Sequence, residues 1–223
     1  EDGTPVKLWG VIFNGASCFP DHAYAEAVAQ RLEQAGCNYV RFHQMDSDWA
    51  TPNIFRFTAG KPTRNTRSLD ERSMERLDYL IKCLKEHGIY AGVDMITYRK
   101  FKPGDGVPFA EEMWDNHKSY TLFDPLLIEL QKEFCTQIWT HVNPYTGLAY
   151  TDEPAVVMTD CINEGTMFSG SPKEPYLSEL KEKFKKWVAD NNEDYDFEGK
   201  AMFGPTTIHD GTLIRFKVET ERA

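Results

Sequence analysis

The chain has 223 residues, 41% of them hydrophobic and 27% charged, so it can bury an ordinary core in one large domain or two small ones. Its 35 acidic residues outnumber 25 basic ones, for a formal net charge of -10, which argues against nucleic acid or an anionic membrane surface as partner. Five cysteines stand at 18, 37, 83, 135 and 161 with no C-x-x-C pair among them, and no apolar run reaches the roughly 18 residues of a membrane span.

In chain order, Leu8-Trp9-Gly10-Val11-Ile12-Phe13 reads as a buried strand that stops at Asn14-Gly15. Asp21 then opens a helix with Ala25, Val28, Ala29, Leu32 and Ala35 on one face and Gly36 where a left-handed terminal residue belongs. Residues 38–43 form a second strand that runs out into Asp46, Asp48 and Trp49. Ser68-Leu-Asp-Glu71 has the spacing of a capping box, and it precedes a helix with Met74, Leu77, Leu80, Ile81 and Leu84 on one face and His87-Gly88 at its end. Residues 89–96 are a third strand, followed by Tyr98 and a loop to about Phe123. Asp124-Pro125 is a cap followed by proline at the first helical position; the helix it opens carries Leu127, Leu130, Phe134, Ile138 and Val142 and ends near Asn143-Pro144.

The stretch from Pro154 to Gly165 concentrates the chemistry. Ala155 to Ile162 reads as a fully buried parallel strand, short and rich in β-branched residues, and it stops at Asn163-Glu164-Gly165. Strand exits are where α/β folds place catalytic groups, and a partly buried glutamate there can be tuned as a general acid. The plainer reading makes Glu164 a solvated loop residue. A helix over about 176–190 with Lys181, Lys183, Lys185 and Lys186 on its outer face follows, then an acidic stretch, then a last helix starting after Asp210. Strand and helix alternate through four strands, which predicts a parallel sheet with right-handed crossovers.

Asn38-Tyr-Val-Arg41-Phe-His43, Gly88-Ile89-Tyr90, and Asp152-Glu153-Pro154-Ala155 leading into Asn163-Glu164 together resemble the clan A glycoside hydrolases, in their cellulase- and mannanase-like branch. The resemblance covers roughly residues 8 to 190. It implies a retaining enzyme on a parallel (β/α)8, or TIM, barrel, with a β-linked polysaccharide or oligosaccharide as substrate. It also implies Glu164 as acid/base, Asn163 on the sugar 2-hydroxyl and Arg41 beside the nucleophile. That nucleophile is a second glutamate at the seventh strand of the family; Glu219 and Glu221 lie in a predicted helix and do not match it.

A full barrel takes about 250 residues, so the chain is expected to be a single, incomplete TIM-barrel domain over residues 1–223, with about four to five β/α units. The remaining half, or a second chain, is the expected partner, and the 223 residues alone are expected to be inactive. Open edge strands and bare inner faces follow from that. No leader-type apolar segment stands at Glu1; a mature or trimmed start and a secreted or periplasmic location are expected.

Trp49 and Trp114 fall in loops where a glycan ring could stack, or where each simply packs its loop. His43 and Tyr98 sit at strand exits, as sugar contacts or core lining; the polar residues after His43 favour the site. Asp94, inside the third strand, reads as a structural carboxylate or a ligand. No cofactor or metal is expected. A metal-dependent barrel hydrolase would need His22, His43, Asp46, Asp48 and His209 to converge, and no His-x-His or His-Glu-x-x-His spacing supports it. The remaining alternative is a glycan-binding or catalytically inactive barrel fragment.

Overall fold

The computed structural model describes residues 4–58, 61–62, 65–113, 117–168 and 170–223. The strands are β1 (Gly10–Asn14), β2 (Tyr39–His43), a small antiparallel pair β3 (Phe57–Thr58) and β4 (Lys61–Pro62), then β5 (Tyr90–Ile96) and β6 (Val156–Ile162). β1, β2, β5 and β6 form one sheet in that order, and every neighbouring pair is parallel. The helices are α1 (His22–Gln34), α2 (Glu71–Glu86), α3 (Pro125–Trp139), α4 (Tyr176–Asp190) and α5 (Gly211–Arg222).

Local chemistry sets the helix starts. The carboxylates of Asp21, Asp124 and Asp210 each accept a backbone N–H of the first turn, from Tyr24, Leu127 and Leu213. The capping box expected at Ser68 is replaced by a cap at Asp70, whose side chain accepts the Ser73 N–H at 2.9 Å. The reason is that the chain is still extended before it: Leu69 bridges Phe55, and the Ser68 carbonyl accepts the Arg56 N–H. α3 also stops earlier than expected. The Asn143 side chain closes a turn onto the Tyr145 N–H, which draws Val142 into a bridge with Ala149 and leaves it exposed.

Two apolar clusters hold the fold. In the first, Val40, Phe42, Ala91, Val93 and Met95 on one face of the sheet meet Leu77, Leu80, Ile81 and Leu84 of α2 and Phe134 and Ile138 of α3. Each such large side chain contributes about 1.5–3 kcal/mol by leaving water. The second gathers Phe101, Tyr120 and Phe123 of the long loop with Leu180 and Phe184 of α4 and Leu213 and Phe216 of α5.

β6 is not the fully buried strand its composition suggests. Val157 and Met158 are 46% and 50% exposed, because β6 is an edge of the four-stranded sheet. β1 is the other edge, and its Ile12 is 55% exposed.

Candidate active site

Side chains alternate across a strand, so Tyr39, Arg41 and His43 of β2 share one face. Asp94 and Asp160 are register partners on β5 and β6. Arg41 joins all of these. Its Nε donates to Asp94 Oδ1 at 3.1 Å and Oδ2 at 2.8 Å; one terminal nitrogen donates to Asp160 Oδ2 at 3.0 Å and to Asn163 Oδ1 at 3.2 Å. His43 Nδ1 is 2.5 Å from Asp94 Oδ2. A carboxylate there only accepts, so Nδ1 carries the proton, and in the neutral ring Nε2 is the acceptor. The hydrogen bond from Arg41 to Asp94 holds the guanidinium more firmly protonated than usual.

Gly92 makes this floor possible. A β-carbon there would stand 1.9 Å from the Tyr39 hydroxyl, so a larger residue would drive Tyr39 off the sheet. The Tyr39 hydroxyl in turn reaches Met158 Sδ at 3.5 Å.

Beyond the strand ends, Asp46 is buried and binds the Thr97, Tyr98 and Arg99 backbone N–H groups together with the Thr97 hydroxyl. This pins the exit of β5 to the exit of β2 and sets Tyr98 at the rim, 40% exposed. Trp49 is 60% exposed beside Gly15, where a β-carbon would be only 3.2 Å from its indole ring. Asp48, next to it, pairs with Lys102 at 3.1 Å.

The Asn163-Glu164 turn is built tightly. The Asn163 N–H continues the ladder to the Ile96 carbonyl at 2.8 Å. Glu164 takes a left-handed backbone, φ 53°, a conformation that costs a non-glycine residue about 1 kcal/mol or more. Gly165 follows because a β-carbon there would meet the Ile162 side chain at 2.4 Å. From the other side, Lys118 Nζ donates to the Asn163 carbonyl at 2.6 Å and the Ser119 hydroxyl to the Thr166 carbonyl at 2.9 Å.

Of the residues singled out from sequence, Arg41, His43 and Asn163 are joined through Arg41 and Asp94, and Glu164 is adjacent in the chain. Tyr98 and Trp49 stand on the loops that follow β5 and β2. Trp114 lies outside the described residues. Glu164 is exposed rather than partly buried, since the strand behind it is a sheet edge. Sequence reasoning left Asp94 ambiguous and passed over Asp160, Lys118 and Ser119. For Asp160 the two-residue period of the strand was the available signal. Among the described residues, no group of three or more His, Cys, Asp or Glu is arranged to hold a metal ion. His22 pairs with Glu75 and His43 with Asp94, so that set does not converge.

Residues 1–194 match the family described as Cellulase (glycosyl hydrolase family 5). No curated protein matches the sequence. Among solved structures, the chain is similar to the endo-1,4-beta-mannanase from Rhizomucor miehei, with 13% identity and a TM-score of 0.58 over 90% of this chain and 60% of that one. It is similar to the hyperthermostable endo-1,4-beta-D-mannanase from Thermotoga petrophila RKU-1, with 21% identity and a TM-score of 0.54 over 84% and 54% of the two chains. A further endo-beta-1,4-mannanase from Thermotoga petrophila gives 18% identity and a TM-score of 0.55 over 89% and 46%. These likenesses carry the fold, a partial TIM barrel, and this chain spans 46% to 60% of the lengths of those three proteins.

Proposed function

This chain belongs to the cellulase family, glycosyl hydrolase family 5, and from that premise we propose that it is the acid/base-bearing part of a retaining glycoside hydrolase acting on a β-linked glycan. Glu164 is the acid/base. Asn163 holds the sugar 2-hydroxyl, Arg41 steadies the nucleophile's side of the site, and His43, Tyr98 and Trp49 contact the sugar.

The observation that carries the reading is the bond from Arg41 to Asn163 beside a strained Glu164 at a strand exit. A left-handed glutamate persists only where its surroundings over-determine it, and such outliers cluster at functional sites. Exposure leaves the carboxyl open to a glycosidic oxygen, and the substrate itself would supply the desolvation.

A retaining reaction needs a second carboxyl about 5–5.5 Å from the first. Asp94 and Asp160 are tied to Arg41, and Glu219 and Glu221 lie in α5. The nucleophile therefore comes, in this reading, from further barrel strands pairing on the open edges of β1 and β6, in a longer chain or a second one. Mannanases among the solved structures of this fold favour a mannan-type substrate. A secreted or periplasmic setting suits a polymeric substrate. With the nucleophile supplied from elsewhere, these 223 residues alone are, in this reading, a glycan-binding piece without turnover.

The test uses the enzyme complete with its nucleophile. Glu164→Ala should cut turnover of substrates with poor leaving groups by about 10²–10⁴-fold. It should spare activated aryl glycosides in the first step, and azide should rescue the second. Equal losses on both substrates with no effect of azide would refute the assignment.

A further inference from the structure

α5 lies beyond the residues that match the family, yet it grips the loop that carries Glu164. Glu221 Oε1 accepts the Met167 backbone N–H and, at 3.2 Å, the Thr166 hydroxyl. One helical turn earlier, Lys217 is fully buried; its Nζ donates to the Met202 carbonyl at 2.8 Å and stands 5.3 Å over the Phe168 ring. α5 is itself anchored to α4, where Trp187 Nε1 donates to Glu219 Oε2 at 2.8 Å.

The run from Asn163 to Phe168 is thus held from two sides. Lys118 and Ser119 take its carbonyls, and α5 takes its Met167 N–H, its Thr166 hydroxyl and its Phe168 ring. The grip matters because Glu164 sits in a strained backbone and its exposed side chain does not anchor it. A carboxylate receiving a backbone N–H is a charge-assisted bond, stronger than a neutral one. A helix that only packed here would need an apolar face, not a carboxylate aimed at two loop donors.

We propose that Glu221 is a positioning residue for the acid/base, acting on Glu164 through the Met167 N–H and the Thr166 hydroxyl. The proposal rests on the reading of Glu164 as acid/base. It adds a part of the chain outside the family match to the catalytic apparatus.

The test has two arms. The first needs no turnover: amide hydrogen exchange at Met167, followed by NMR in this chain, with the thermal midpoint as control. Glu221→Gln keeps the shape and removes the charge, so Met167 should exchange about tenfold faster while β5 amides keep their rates and the midpoint falls only by what the loss of the charge opposing Lys217 costs. The second arm uses the enzyme complete with its nucleophile. There Glu221→Gln should lower kcat on unactivated substrates about tenfold or more with KM unchanged, since small misplacements of a catalytic group cost up to about 10²-fold. In a Glu164→Ala background the same change should cost nothing further.

Unchanged exchange at Met167, or an equal loss with and without Glu164, would overturn the proposal. Failure of the acid/base reading shows elsewhere, in Glu164→Ala acting equally on activated and unactivated substrates. Should Glu221→Gln not fold, Thr166→Val loosens the same contact from the loop side and is read in the same two arms.

Discussion

Asp46 holds Thr97 at two points, taking its backbone N–H at 2.9 Å and its hydroxyl as well. The same carboxylate takes the Tyr98 N–H at 3.0 Å and the Arg99 N–H at 2.9 Å. Asp46→Ala would orphan these donors in a buried place, at about 1–3 kcal/mol for each unsatisfied group. A loss of about 3–5 kcal/mol in urea unfolding is expected, with Asp46→Asn in between because its amide keeps one acceptor oxygen. A loss under 1 kcal/mol for the alanine would mean the β5 exit is held by something else.

Arg41 serves two carboxylates that differ in burial: the Asp94 side chain is 3% exposed and that of Asp160 40%. Removing one partner of a buried pair costs about 3–5 kcal/mol, and an exposed pair contributes about 0–1 kcal/mol. Asp94→Asn should therefore destabilise by about 2–4 kcal/mol and Asp160→Asn by less than 1 kcal/mol, read by chemical denaturation. Equal losses would show that the floor shares its charge evenly.

Lys217 predicts a pH dependence. Burial lowers its ammonium from an ordinary 10.5 to about 8, with Glu221 as the opposing charge. Between those values the unfolded chain holds the proton that the folded chain has released, so stability rises with pH. The burial penalty is complete below about 8 and gone above 10.5. Lys217→Met lacks the titration. Its stability relative to wild type should fall as pH climbs from 7 to 10, by about 1.4 kcal/mol for each unit of separation crossed. A constant difference across that range would contradict the burial of the charge.

The edges of the sheet predict association. Ile12 on β1 and Val157 and Met158 on β6 are about half exposed, beside unpaired strand edges. Sedimentation of this chain should show a weight that rises with concentration, and Val157→Lys should weaken the rise. A concentration-independent monomer would exclude edge pairing.

Much of this architecture was legible because each element carries its own local signal. Aspartate caps and periodic apolar faces marked the helices, and β-branched runs marked the strands. Ser68 misled because tertiary pairing of Leu69 with Phe55 kept the chain extended past it. Arg41, Asn163 and Glu164 stood out through a family pattern. Asp160 did not, since it sits inside a run that reads as apolar and its role depends on a partner two strands away. Glu221 carries no motif at all; packing of α5 alone brings it to Met167. The expected full burial of β6 failed for the same kind of reason, because strand composition does not reveal that β6 is an edge, and Glu164 takes the solvated of its two readings.

The bonds of Arg41 reach partners 53, 119 and 122 residues further along the chain. Closing loops of that size is slow compared with winding the helices between them. The floor thus exists only once β2, β5 and β6 have found one another. A one-residue slip of β6 would turn Asp160 to the opposite face and strip the guanidinium of that partner. Arg41 thus works as a register check on three strands, since its full set of partners is available only when β2, β5 and β6 pair as they do here.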